Sequence, residues 1–274
     1  HEVRPVKQGH RIVLTYNLIA EGNVSAAPLP ADRIESLSAS LRRFFETPRP
    51  SRLAVGREQT PPDRLVYLLD HQYTQRALAW SRLKSSDADR AATLREVARR
   101  LDCEIFLALA DVHETWLCED EYHGYRGRRW SDCDENDDAE DECEDGYATD
   151  GTPELMDLID SDVELRHWVG SGGRPRGIPT GVGSDELCFT KPTQDFDPFE
   201  SDYEPYTGNA GNTVDRWYHR AAVVLWPRER TFVIRARSSP RWAIGHVAQK
   251  FDAGHIAEAL ELARRLMPFW SNCA

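Results

Sequence analysis

The sequence predicts an α+β protein, because two kinds of apolar pattern recur along it. Several short apolar runs are rich in β-branched residues, as strands are, and other segments repeat apolar residues every three or four positions, as helices do. The chain has 274 residues, of which 40% are hydrophobic, so it is long enough to bury a substantial core. We find no internal repeat.

The first half of the chain predicts three strands and three helices. The strands are HRIVLTYNLI, RLVYLLDHQYT and EIFLALADVHETWLC. The helix DRIESLSASLRRFFET carries Asp32 and Glu35 at the spacing of a capping box. A short helix is expected in QRALAWSRL, and a longer one begins at Ser86 with Asp89 in its first turn.

The second half predicts a helix, a long irregular segment and a final helix. Pro153 marks the start of the helix TPELMDLIDSDVELRHWV. A glycine-rich loop, a short strand in ELCFT and an irregular segment from Lys191 to Trp217, pinned by its aromatic residues, follow. YHRAAVVLWP and TFVIRAR are expected to be strands, and DAGHIAEALELARRLMPFW a helix capped by Asp252.

Acidic residues dominate one segment and the overall charge. From Asp132 to Asp145, ten of fourteen residues are Asp or Glu, and such a density of like charge favours a flexible loop at 131–150 between an α/β part at 31–130 and a second at 151–274. The loop lacks the glycine turn and ligand spacing of an EF-hand calcium site. The net charge of -12 argues against a nucleic-acid partner, which requires a basic face. The YRGRRW cluster is too short to change this interpretation.

The six cysteines and the apolar runs indicate an intracellular protein. No two cysteines form a C-x-x-C pair, and six in this length is too sparse for a disulfide scaffold, so free thiols in a reducing compartment are expected. We see no secretory signal and no apolar run long enough to span a membrane. A cytoplasmic or other intracellular location is the expectation.

Several histidines outside the opening stretch are candidate functional residues. His113, Cys118 and His123 contain soft-metal ligand types, but their spacing matches no zinc motif. His71 follows a predicted strand and is interpreted as a hydrogen-bonded residue at the strand end. His219 and Arg220 precede an apolar run and are interpreted as a surface pair at the entry to a strand.

The opening stretch, HEVRPVKQGHRIVLTYNL, carries the most specific pattern in the chain. His1, Pro5, Gly9 and Arg11 stand in the order H-x-V-x-P-V-x-x-G-x-R, followed by an apolar strand. At these residues the sequence resembles the 2-oxoglutarate- and Fe(II)-dependent dioxygenases of the prolyl 4-hydroxylase-like group. The resemblance implies that residues 1–30 are the last strands of a jelly-roll (double-stranded β-helix) barrel, followed by a mixed α/β extension.

The resemblance also implies roles for two residues. His1 would be the distal Fe(II) ligand, and Arg11 would bind the far carboxylate of 2-oxoglutarate, which a guanidinium can hold with two parallel hydrogen bonds. The family takes its other iron ligands from an upstream H-x-D or H-x-E pair, and none of the nine histidines is followed two positions later by Asp or Glu. We therefore expect a fragment whose parent holds the first half of the barrel and hydroxylates a protein or small-molecule substrate.

A second interpretation does not need the resemblance. Residues 31–274 could form a non-catalytic binding or scaffolding module, with the first strand completing its sheet. The coding sequence upstream of His1 discriminates between the two, because an H-x-D pair there supports the oxygenase.

Overall fold

Six strands form one mixed sheet in the computed structural model, which describes residues 30–50, 59–118, 153–170, 177–205 and 212–270. The sheet is open and is not closed into a barrel, and five α-helices accompany it within the described residues. The strands are β1 (Leu65–Leu68), β2 (Cys103–Cys118), β3 (Leu155–Val169), β4 (Leu187–Phe189), β5 (Glu200–Glu204) and β6 (Thr213–Pro227). The helices are α1 (Ala31–Glu46), α2 (Ser85–Arg100), α3 (Thr231–Ser238), α4 (Pro240–Asp252) and α5 (Ile256–Trp270). The expected α+β class is confirmed.

The long antiparallel pair of β2 and β6 is the centre of the sheet. Its register is unbroken over 15 residue pairs, from Cys103 opposite Pro227 to Leu117 opposite Thr213. The strand order is β3-β2-β6-β1-β4, and β5 pairs with the first part of β6 while β1 pairs with the second part. The β1–β4 pair is parallel, and the other pairs are antiparallel.

Each face of the central strands has its own hydrophobic core. Successive side chains of a strand point to opposite faces. The first face packs against α1 and α2, and its buried residues include Leu65, Leu69, Leu107, Val223 and Leu225. The second face packs against α3 and the segment 177–182, and its buried residues include Val66, Phe106, Val112, Val224 and Trp226. The first part of β2 and the last part of β6 are nearly continuous apolar runs, because both faces of these strands are buried there.

A buried carboxylate joins the end of β1 to the start of α2. Asp87, in the first turn of α2, is fully buried and accepts hydrogen bonds from the backbone N–H groups of Asp70 and His71, both at 2.9 Å. The His71 ring (Nδ1, 2.9 Å) and the Tyr73 hydroxyl (3.0 Å) bond to the same carboxylate. The predicted role of His71, a hydrogen-bonded residue at a strand end, is confirmed.

The helix predicted from Pro153 is wrong, because this segment is strand β3. Leu155, Met156, Leu158 and Ile159 are spaced as on a helix face, yet all but Leu155 are strongly exposed. The buried side chains Val163 and Leu165 alternate instead, and they face the second core through pairing with β2. Tertiary pairing therefore overrides the local helical spacing.

The C-terminal segment also corrects two predictions and adds one helix. TFVIRAR is helix α3 and not a strand, although it contains β-branched residues that favour strands. A helix not predicted from the sequence, α4, follows it, and Asp252 is the last residue of α4 and not the cap of α5. Phe232, Ala236, Ala243 and Leu266 form the core that these three helices share. The predicted final helix is confirmed as α5.

Other elements are confirmed with different bounds. Helices α1 and α2 and strands β1, β2 and β4 lie where they were expected. QRALAWSRL holds one turn of 3-10 helix at Trp80–Arg82 and no longer helix. The segment expected to be irregular contains β5 and the first residues of β6. The predicted first strand and the acidic segment 131–150 lie outside the described residues.

Candidate functional site

A row of polar and aromatic side chains lies on the first face of the sheet, at the end away from Leu107 and Val223. Asp111 and His113 on β2 lie directly opposite His219 and Trp217 on β6. On each strand, these residues continue the series of every second residue that points to the first face, beyond the part of the series that is apolar and buried. Because their even-numbered neighbours are buried on the second face, these side chains face outward together.

One histidine of this row is held by a carboxylate and an aromatic ring. His219 Nδ1 lies 2.8 Å from Asp111 Oδ1, and Asp111 also pairs with the Arg166 guanidinium from β3. The Phe199 ring stacks on the His219 ring with centroids 3.9 Å apart and planes 7° from parallel. With the carboxylate as the acceptor, Nδ1 carries the proton and Nε2 faces away from Asp111.

The second histidine is held in a similar way. His113 Nε2 lies 2.8 Å from Asp215 Oδ1, and the Thr115 hydroxyl donates to the same oxygen at 2.5 Å. The Trp217 ring stacks on His113 with centroids 4.8 Å apart and planes 10° from parallel. Each imidazole is therefore positioned by one carboxylate and one aromatic ring.

These side chains border an open cavity of about 520 Å³, which we call the sheet trough. Its size lies within the ordinary range for small-ligand sites, about 300–1,000 Å³. The sheet trough is lined by Asp111, Val112, His113, Asp162, Val163, Glu164, Arg166, Thr180, Gly181, Phe199, Trp217 and His219. The lining contains three carboxylates and one guanidinium, so carboxylates predominate among its charged groups.

The sheet trough can bind polar groups and can transfer protons. An imidazole held through one nitrogen by a carboxylate can accept or donate a proton at its other nitrogen. Each of the two rings has a carboxylate partner, Asp215 for His113 and Asp111 for His219. The arrangement can therefore recognise a polar ligand or move a proton.

The second face of the same strands holds charged residues that are buried. Arg220 is 2% exposed, donates from Nε (3.1 Å) and Nη2 (2.8 Å) to the Leu69 carbonyl, and packs its guanidinium 3.8 Å from the Phe196 ring centroid. Burial lowers the pKa of Arg220, and the nearby carboxylates oppose that shift. The prediction that Arg220 lies at the surface is wrong, whereas its neighbour His219 is exposed.

Glu114 is a buried carboxylate on the same face. Burial raises the pKa of Glu114, while hydrogen bonds from the Trp116 indole and the Thr193 hydroxyl oppose the shift, as do the charges of Arg220 and Arg216. The Trp116 bond is 3.0 Å long. This face has a structural role, because its charged groups hold β6, the end of β1 and the segment around Phe196 together.

The residues singled out in the sequence are not brought together by the described part of the structure. His1, Arg11 and His123 lie outside it, so the proposed iron and 2-oxoglutarate contacts remain predictions. His113 bonds to Asp215 while Cys118 is buried. No three of the described His, Cys, Asp and Glu side chains come together in a way that could hold a metal ion. The described residues therefore do not complete an iron site.

Sequence reasoning missed most of the sheet trough, although a signal was present. In ADVHETW and VDRWYH, polar or aromatic residues alternate with residues that the strands bury. Alternation of this kind places Asp111 and His113, and likewise Asp215, Trp217 and His219, on one face. The register of β2 against β6, which joins the two sets, is not visible in either segment.

Comparisons with known proteins found no protein-family model, no curated protein and no solved structure that matches the chain. Among the described residues, none of the helices combines the length and the apolar character that crossing a bilayer requires.

Proposed function

We propose that residues 31–274 act as a binding module and that the sheet trough is its ligand site. The observation that carries this proposal is the fixed geometry of the two histidines, each held by a carboxylate at 2.8 Å and stacked on an aromatic ring. Side chains that are already ordered lose little conformational entropy when a ligand binds.

The proposal is tested by following the rings of His113 and His219 during ligand titrations. Proton–carbon NMR spectra of histidine-labelled protein should show shifts at these two rings with at least one member of a panel of basic, acidic and neutral peptides, sugars and nucleotides. Asp111→Ala should weaken that binding, since it removes the acceptor that fixes His219. The proposal fails if no member of the panel moves either ring.

The second candidate function is that of the parent protein, which we propose to be a 2-oxoglutarate- and Fe(II)-dependent dioxygenase. The opening pattern from His1 to Arg11 supports it. Such an enzyme couples oxidative decarboxylation of 2-oxoglutarate to hydroxylation of a substrate. In this chain Arg11 would bind the 2-oxoglutarate carboxylate, and His1 would supply one of the three protein ligands of Fe(II).

Two comparisons test the oxygenase proposal. Purified residues 1–274 should form no succinate above a no-enzyme control, whereas a longer chain that includes an upstream H-x-D pair should form it. In the longer chain, Arg11→Lys should bind 2-oxoglutarate about ten- to a hundredfold more weakly, because a lysine lacks the planar fork that makes two charge-assisted bonds. Excess 2-oxoglutarate should partly restore Arg11→Ala but not His1→Ala. If Arg11→Ala left the affinity for 2-oxoglutarate unchanged, the opening pattern would be a chance match.

A further inference from the structure

The face that contains the sheet trough is acidic well beyond the trough itself. On β3, Asp160, Asp162 and Glu164 lie opposite Thr115, His113 and Asp111. On the other side of the central pair, β5 places Glu200, Asp202 and Glu204 opposite Trp217, Asp215 and Thr213. All six outer carboxylates belong to exposed residues.

The charge of this face is strongly one-sided. The two outer strands, together with Asp111 and Asp215, bring eight carboxylates to the face. Among the described residues, the Arg166 guanidinium pairs with Asp111 on this face. Such a surface attracts cations and repels phosphate groups and other anions. A second copy of the chain would present the same acidic face, so self-association through it is opposed by like charge.

The spacing of the carboxylates is regular along both outer strands. They recur at every second residue, which in a strand is about 6.6–6.8 Å. An extended peptide presents the side chains of one side at the same period. The rows on β3 and β5 are separated by β2 and β6, so they stand about 14 Å apart, at roughly 4.8 Å for each strand step.

We propose that the partner of this face is an extended peptide segment with arginine or lysine at alternate positions, lying along β2 and β6. This inference rests on the proposed function, because the sheet trough would be the centre of its docking surface. The carboxylates of β3 and β5 bind the cationic ends, and the Phe199 and Trp217 rings contact the aliphatic stems, which are the apolar part of these side chains.

A set of matched peptides tests the charge and the spacing. The first is a labelled seven-residue peptide with arginine at positions 1, 3, 5 and 7 and serine between. The second has the same composition with its four arginines contiguous, the third has glutamate in place of arginine, and the fourth contains threonine and serine only. Fluorescence anisotropy gives the affinity, and the histidine NMR signals report whether the sheet trough is the site.

The protein variants are chosen to remove equal charge from two places. Asp162→Asn with Glu164→Gln removes two carboxylates beside the trough, and Glu35→Gln with Asp89→Asn removes two exposed carboxylates from α1 and α2. We expect the alternating peptide to bind to the wild type, to bind about three- to thirtyfold more weakly to the first variant, and to be unaffected by the second. Binding should also weaken with added salt.

The outcomes separate this inference from the proposed function. If the contiguous peptide binds equally well and both variants behave alike, attraction is non-specific and the inference is overturned. If the threonine and serine peptide or another panel member moves the His113 and His219 signals while the alternating peptide does not, the inference falls and the binding module stands. If no ligand moves them, both proposals fail. If the wild type had the mass of two chains and the variant with Asp162→Asn and Glu164→Gln had the mass of one, the occupant would be a second copy of the chain. That result would overturn the proposal of a basic peptide.

Discussion

Replacing Asp87 by Asn should destabilise the protein much more than the near-identical shape of the two side chains suggests. The carboxylate is fully buried. Its Oδ1 accepts the Asp70 backbone N–H, and its Oδ2 accepts the His71 backbone N–H, the His71 ring and the Tyr73 hydroxyl. All four partners are hydrogen-bond donors, and the ionised carboxylate matches them because both of its oxygens are acceptors.

The size of the effect follows from this donor pattern. An Asn side chain has one oxygen and one NH2 group, so its NH2 must face either the Asp70 N–H or the three donors at Oδ2. At least one charge-assisted hydrogen bond is lost, which costs about 1.5–3 kcal/mol, and a buried donor is left without an acceptor. We expect the free energy of unfolding to fall by about 2–4 kcal/mol for Asp87→Asn, and by up to about 5 kcal/mol for Asp87→Ala, which removes all four bonds.

The loss should depend on pH in a defined direction. Burial by itself would raise the pKa of Asp87, but the backbone N–H groups of Asp70 and His71, with the His71 and Tyr73 side chains, hold it below its ordinary value of 3.8. A depressed folded-state pKa contributes stability that is complete above the unfolded value and is lost as the pH falls through the folded value. The difference between wild type and Asp87→Asn should therefore be constant from pH 7 to about 4 and shrink below that.

Urea unfolding followed by circular dichroism measures both effects. Asp89→Asn is the matched control, because Asp89 lies two residues further along α2 but is exposed, and it should change the free energy of unfolding by less than about 0.5 kcal/mol. If Asp87→Asn behaved like Asp89→Asn at pH 7, or if its deficit persisted unchanged into acid, the carboxylate would not join β1 to α2 as described.

Three further outcomes are expected. Gly170→Ala should lower the free energy of unfolding by about 1–3 kcal/mol, because a Cβ at Gly170 overlaps the Phe106 ring, which is packed between two tryptophans. Cys103 should resist alkylation at pH 8 while Cys188 reacts, because Cys103 is buried and burial raises its pKa to about 11, whereas Cys188 is exposed although desolvation raises its pKa too; mass spectrometry locates the label. Arg220→Lys should cost about 2 kcal/mol, measured by urea unfolding, because a lysine cannot make both bonds to the Leu69 carbonyl.

Each of these outcomes has a comparison that could contradict it. Gly181→Ala should be nearly neutral, since a Cβ at Gly181 meets nothing within 4 Å, and an equal loss at both glycines would rule out overlap with Phe106. Arg166→Lys should cost little, because Arg166 is 63% exposed, and a similar cost for Arg220→Lys would mean that burial of Arg220 is unimportant. Alkylation of Cys103 as fast as that of Cys188 would contradict its burial.

The sequence is informative where local and tertiary preferences agree. In α1, Ile34, Leu41 and Phe45 form one apolar stripe, and the same residues face the core. In β2 and β6, the apolar runs are long because both faces are buried at one end. Elements of this kind were predicted correctly from one segment at a time.

The sequence is misleading where long-range pairing decides the structure. β3 has apolar residues at helical spacing but pairs along β2, and α3 has β-branched residues but packs on α4 and α5. The sheet trough is a product of the same long-range register, since Asp111 and His219 are 108 residues apart in the chain. No window of sequence contains both of them, so their partnership could not be predicted from local patterns.

The position of β6 between β1 and β2 has a consequence for how the protein is made. β1 and β2 are separated in the sheet by a strand whose last residue is Pro227, so the first two of the described strands to emerge from a ribosome cannot complete their ladders with each other. At about 5–20 residues per second, the 109 residues between Cys118 and Pro227 take roughly 5–20 seconds to synthesise. During that interval the apolar edges of β1 and β2 are exposed, and a nascent chain of this design has a period in which chaperone binding competes with aggregation.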